Sequence, residues 1–192
     1  MRIILASSSP RRKELLAKLK IPFEVLSIDT QERLNSEKNY YEQCMDIAEE
    51  KAQAVFRVID GDVIVIASDT IVVNNQEIYG KPKNYDEAFK MLKHLSNNKH
   101  EVISSLCVLV RKDGQEFKEL TFDKCDVYVD DLSDAMIDSW IKNNDVYTRA
   151  GGYAIQDGFG KYVTKIEGDY FSIVGFPLHK TWKILQKYID LE

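Results

Sequence analysis

Cysteine is scarce in this chain and poorly placed for bonding. Cys44, Cys107 and Cys125 are the only three in 192 residues. They show neither metal-ligand spacing nor a disulfide framework, so each reads as a small core residue. Histidine is as sparse: His94, His100 and His179 form no ligand pattern and read as structural or solvent-facing. No apolar stretch approaches the ~18 residues of a membrane span and no secretory apolar segment follows the start. A cytoplasmic location with no membrane partner is the resulting expectation. An excess of positive charge is missing too, since 26 lysines and arginines face 31 acidic residues for a net charge of −5. That balance argues against nucleic acid as a partner. No serine sits in a nucleophile elbow and no Walker-type phosphate loop is present, which excludes the commonest covalent acyl-transfer and P-loop chemistries. Repeats, low-complexity tracts and long linkers are absent. The 44% hydrophobic and 30% charged composition is that of a globular protein with a proper core.

What is present alternates between strand and helix patterns. Arg2 to Ala6 reads as a buried strand, Phe23 to Ile28 as a second, and Asp62 to Ala67 as a dense apolar strand covered on both faces. A helix is predicted over Tyr41 to Val58. Val72-Val73 and Glu77-Ile78 flank the hairpin signal Asn74-Asn75. Asn84 and Glu87 form a capping-box pattern ahead of a helix whose Ala88, Met91, Leu92 and Leu95 share a stripe. Two long strands, His100 to Arg111 and Phe117 to Val129, join through Asp113-Gly114. Ser133 opens a helix with Met136, Ile137, Trp140 and Ile141 inward. Glycines 151, 152, 158, 160 and 168 surround short strands, and Pro177 starts a helix through Tyr188. The order implies an α/β fold with a mixed, twisted sheet.

The sharpest local signal is Ser7-Ser8-Ser9-Pro10-Arg11-Arg12-Lys13. Ser9 and Pro10 mark a helix start. Three cations then occupy the first turn, where the helix dipole and free N–H groups already present positive charge. An anion docked there would resolve the conflict. An exposed basic turn costing a few tenths of a kcal/mol is the plainer reading.

Asp69 follows directly on the apolar strand, at the end where ligands gather in open α/β sheets. A carboxylate there can hold a hard cation or orient a water toward phosphorus. A structural turn aspartate fits equally well. Glu32 could add a metal oxygen or be a surface loop residue. Lys51 shares its helix with Glu49 and Glu50, which suits a solvated mixed-charge face. Lys81 is restricted by Gly80 and Pro82.

Eight strings in order carry a resemblance: ASSSPRRKELL from Ala6, AEEKAQAV from Ala48, ASDTIVV from Ala67, GKP from Gly80, MLKHLS from Met91, HEVI from His100, AGGYAIQ from Ala150 and IEGDYFSIVGFPL from Ile166. Together they resemble the Maf family of nucleoside triphosphate pyrophosphatases, from Ile3 to about Leu185. The resemblance implies one domain over residues 1–192, two-lobed like the inosine triphosphate pyrophosphatases, with the ligand in a cleft between lobes. It implies a divalent metal cofactor, magnesium or manganese, and cleavage between the α and β phosphates of a nucleoside triphosphate. By that resemblance Asp69 is the catalytic proton acceptor, Ser8, Arg11, Arg12, Lys51 and Lys81 bind the triphosphate, and Glu32 and Asp69 lie at the metal. The same resemblance implies that Arg12, Thr70 and Gln156 stand at positions associated with substrate choice. Threonine and glutamine at the last two positions resemble the dTTP and UTP branch, with modified pyrimidine triphosphates as further candidate substrates. A 7-methyl-GTP pyrophosphatase, or a non-hydrolysing nucleotide-binding regulator of cell division, are the alternatives. A homodimer is compatible with the resemblance.

The chain also departs from the family pattern. Thr148-Arg149 stands where Asp-Lys is common, and Ser104-Ser105 where a threonine and a small residue are usual. Asp157 separates Gln156 from Gly158, and Phe176 replaces a leucine.

Overall fold

Branched apolar side chains crowd Ile3-Ile4-Leu5 and Val63-Ile64-Val65-Ile66, and these two runs pair side by side. In the computed structural model, which describes residues 1–30 and 37–190, Arg2–Leu5 (β1) lies parallel to Val63–Asn74 (β3), with Leu5 opposite Ile66. Pro10–Ala17 (α1), Glu24–Val25 (β2) and Tyr40–Phe56 (α2) separate them in sequence. The chain continues through Glu77–Tyr79 (β4), Tyr85–Leu95 (α3), Lys99–Lys112 (β5), Gln115–Val129 (β6) and Asp134–Asn143 (α4). Three 3-10 turns then lead to Val163–Glu167 (β7), Tyr170–Val174 (α5) and Leu178–Leu185 (α6). Strand order is β2-β1-β3-β5-β6-β7, with β4 also on β3, and parallel and antiparallel pairings coexist. The fold is therefore mixed α/β. No helix among the described residues is long and apolar enough to cross a membrane.

Contacts divide the chain into two units. The first comprises Met1–Asp69, Ser104–Asp123 and Gly175–Glu192; the second comprises Thr70–Ile103 and Lys124–Val174. In the first, Ile4, Val63, Val65, Ala67 and Cys107 pack against Ala48, Ala52, Val55 and Phe56 of α2. That helix begins with a capping box the sequence pattern did not single out. Asn39 Oδ1 accepts the Glu42 N–H at 2.9 Å, and the Glu42 carboxylate accepts the Asn39 N–H at 3.1 Å. In the second unit, Leu92, Leu95, Val127, Ile137, Trp140 and Phe159 form the core. His100 is buried there with its Nε2 2.6 Å from the Tyr153 hydroxyl.

Several expectations change. The strand predicted over Phe23 to Ile28 shrinks to two exposed residues, because β2 is the last strand in the order and pairs on one side only. The strand predicted to stop at Ala67 runs on to Asn74, since β-branched Thr70-Ile71-Val72-Val73 continue the ladder onto β4. Asp69 thus lies within a strand rather than beyond it. Asn84 caps α3, but the Glu87 carboxylate takes the Lys83 N–H instead of returning to Asn84. Met136 is exposed, one position off the buried Ile137–Trp140–Ile141 stripe. The glycine-rich stretch forms 3-10 turns in place of most of its strands, because Gly151, Gly152 and Gly158 adopt positive φ that breaks a ladder. Helix α6 ends at Leu185, short of Tyr188.

Two stability measurements follow. Asn39→Ala removes the reciprocal cap of α2, and urea unfolding is expected to show a loss of about 1 kcal/mol. Burial pulls the His100 pKa down from 6.5 to about 4, a nearby Asp126 opposing it weakly. The unfolded chain therefore binds a proton between those values that the folded chain refuses, and stability falls as pH drops from 6.5 toward 4. Urea melts at pH 7 and pH 4.5 are expected to show wild type losing about 2–3 kcal/mol more than His100→Gln over that interval.

Candidate active site

The turn between β1 and α1 is organised by a serine other than the predicted cap. Ser9 has the extended backbone of an N-cap and Pro10 opens the helix, yet the Ser9 side chain makes no capping bond. Buried Ser7 supplies the acceptor instead, taking the Ser9 N–H on its Oγ at 3.2 Å. Ser8 is exposed. The first turn of α1 holds no acidic residue, so nothing in it offsets the positive end of the helix. Arg11 and Arg12 are half-buried there and Lys13 is exposed.

Arg12 turns back over this loop. Its Nε donates to the Gly175 carbonyl at 3.1 Å, its Nη1 reaches Ser7 Oγ at 3.5 Å, and its Nη2 lies 3.8 Å from Asp69 Oδ1. Ser68 Oγ donates to the same Gly175 carbonyl at 3.4 Å. Gly175 is thus a shared anchor that no local sequence signal marked.

Asp69 sits just past the point where β1 stops pairing with β3. The last backbone bond runs from Ala6 N–H to Ile66 C=O at 2.7 Å. From α2, Lys51 Nζ donates to Asp69 Oδ1 at 2.7 Å. The solvated-face reading of Lys51 is therefore overturned: its side chain is 19% exposed, and those of Asp69 and Arg12 are 12% and 14%. At this burial the pairings escape much of the screening that weakens surface ion pairs. Among the described residues one carboxylate here faces two cations, a balance that suits a polyphosphate.

A small polar layer lies against the Asp69 backbone. Ser105 Oγ of β5 donates to the Cys44 carbonyl at 2.7 Å, and Cys44 Sγ lies 3.3 Å from Ser105 Oγ and 3.6 Å from the Asp69 carbonyl. Burial first, and the Asp69 charge second, push the Cys44 thiol up to about 12. It stays protonated at neutral pH and serves as a donor rather than a nucleophile.

Of the remaining sequence-derived residues, Glu32 lies outside the described residues. Thr70, Lys81 and Gln156 belong to the second unit. Lys81 is exposed between Gly80 and buried Pro82, and Gln156 is exposed in the second 3-10 turn. Their segments are joined, because the Gly151 N–H donates to the Gly80 carbonyl at 3.0 Å. Gly151 has φ of 67° and a Cβ there would stand 3.2 Å from Val72, so this contact requires glycine. Two departures from the family pattern also meet here: Arg149 pairs with Asp157 at 2.7 Å across the loop that carries Gln156.

Residues 2–188 match the family model described as Maf-like protein. A dTTP/UTP pyrophosphatase from Alkaliphilus oremlandii is 43% identical over 189 residues, spanning 98% of this chain and 97% of that protein. Another dTTP/UTP pyrophosphatase, from a Thermoanaerobacter species, is 41% identical over 191 residues, spanning 100% and 98%. Among solved structures, a nucleoside-triphosphatase or dITP/XTP pyrophosphatase from Mycobacterium abscessus aligns with 67% of this chain and 74% of its own, at 14% identity and a TM-score of 0.40.

Proposed function

The chain belongs to the Maf-like protein family, and from that premise we propose that it is a nucleoside triphosphate pyrophosphatase hydrolysing dTTP and UTP to the monophosphate and pyrophosphate. The observation that carries this reading is the Asp69 carboxylate held by Lys51 at 2.7 Å, with Arg12 at 3.8 Å, beside an uncompensated helix start. Full-length relatives named dTTP/UTP pyrophosphatase support the substrate.

In this reading Ser8, Arg11, Arg12, Lys51 and Lys81 hold the triphosphate. The incoming phosphates compete with Asp69 for Lys51 and Arg12 and draw these cations toward themselves. The carboxylate so relieved takes a proton from a water as the water oxygen bonds to phosphorus at the α–β anhydride. The bridging P–O bond breaks and pyrophosphate leaves, its charge met by the same cations. Thr70, Gln156 and Arg12 select the base. An amide at Gln156 can donate and accept, matching a pyrimidine carbonyl and imide edge.

The family resemblance also implies a divalent cation. Among the described residues no group of three or more histidine, cysteine or acidic side chains comes together. A magnesium-type ion needs only one or two carboxylates, completing its shell with water and substrate phosphates. Asp69 fits that demand and Glu32 is the second candidate. When bound, the ion would supply Lewis-acid neutralisation of the phosphate oxygens.

The test is a nucleotide panel with magnesium or manganese, scoring pyrophosphate separately from orthophosphate. Pyrophosphate from dTTP and UTP is expected, abolished by a chelator and lowered about a hundred- to ten-thousand-fold in Asp69→Asn. Turnover of 7-methyl-GTP in preference to the pyrimidines would overturn the substrate assignment. Tight nucleotide binding without pyrophosphate would replace the hydrolase with a nucleotide-binding regulator.

A further inference from the structure

Helix α2 touches Asp69 twice. Lys51 meets its carboxylate, and Cys44, seven residues earlier and so on nearly the same helix face, meets its backbone carbonyl. The second contact is reinforced from the neighbouring strand. Ser105 has one hydroxyl proton, and the 2.7 Å distance gives it to the Cys44 carbonyl rather than to the Asp69 carbonyl 3.5 Å away. The Cys44 S–H is then the donor that faces the Asp69 carbonyl and Ser105 Oγ. Both residues are fully buried. In that setting neither bond has water to replace it, so losing either donor removes a tether between α2 and the strands beside it.

We infer that Cys44 and Ser105 are positioning residues, a thiol–hydroxyl clamp that fixes α2 against β3 and β5 so that Lys51 and the Asp69 carboxylate keep their register. The inference rests on the reading of Asp69 as proton acceptor. The clamp touches neither the carboxylate nor the substrate. It sets where the carboxylate stands, and an error of about 1 Å in a reacting group can cost on the order of a hundredfold in rate.

The experiment measures kcat and KM for dTTP, with thermal unfolding of each protein, in wild type, Cys44→Ala, Cys44→Ser, Ser105→Ala, the double alanine variant and Asp69→Asn. Both single alanine variants are expected to lower kcat about tenfold while KM changes less than about twofold. Cys44→Ser, which keeps a donor, is expected to retain kcat within about threefold of wild type. The double variant is expected to lose little beyond the worse single one, because either loss opens the same clamp. If the alanine variants fold and keep wild-type kcat, or if Cys44→Ser falls as far as Cys44→Ala, the clamp is overturned. If Asp69→Asn keeps wild-type kcat, the catalytic assignment beneath it fails instead, and the two failures are thereby told apart.

Discussion

A carboxylate placed nine-tenths out of water cannot be left alone, and much of the first unit is arranged around that requirement at Asp69. Lys51 answers it from α2 and Arg12 from α1. Each cation then needs its own support. Arg12 is braced by the Gly175 carbonyl and Ser7, and Lys51 by a helix whose start is closed by Asn39 and Glu42. Removing one member of such a cluster costs several kcal/mol, because the others stay buried without their counter-charge. Among the described residues one anion faces two cations beside a helix start, the charge balance on which the proposed phosphate binding rests. Stability and ligand affinity here pull on the same side chains.

The second unit handles a different problem, the shape of a glycine-rich loop. Three 3-10 turns in succession offer few backbone bonds to neighbours, so the loop is held at isolated points. The Gly151 N–H reaches Gly80, the Trp140 indole N–H reaches the Gly152 carbonyl at 3.1 Å, and Arg149 pairs with Asp157. Read along the chain, Arg149 and Asp157 are two unrelated departures from a family pattern. In space they are one ion pair. Truncating either side chain alone would leave the other's charge facing the loop without its partner.

Strands and helices were legible wherever a pattern repeated, as in the apolar run before Asp69 and the 3.6-residue stripe of α3. The cations at the start of α1 were legible because Arg11-Arg12-Lys13 violate the preference of a helix start. What failed to show was what depends on partners remote in sequence. Lys51 looks solvated beside Glu49 and Glu50, since its partner lies 18 positions on. Ser7 is hidden among three serines, and only the direction of each side chain separates them. Cys44 and Ser105, 61 positions apart, carry no local mark at all. The strand through Asp69 was cut short because a polar Ser-Asp-Thr interrupts its apolar run, although the backbone ladder does not depend on side-chain polarity.

The separation between Arg12 and Gly175, 163 positions, also bears on how the protein comes into being. The first unit is assembled from three stretches of chain, the last starting at Gly175. On the ribosome, Arg12 emerges 163 residues ahead of its carbonyl anchor, so β1, α1 and α2 must wait for that stretch before the contact can form. During that interval the apolar faces of α2 and β3 lack their final neighbours, the condition under which nascent chains meet chaperones or aggregate. Synthesis order therefore leaves the corner around Arg12 and Ser7 incomplete until Gly175 has emerged.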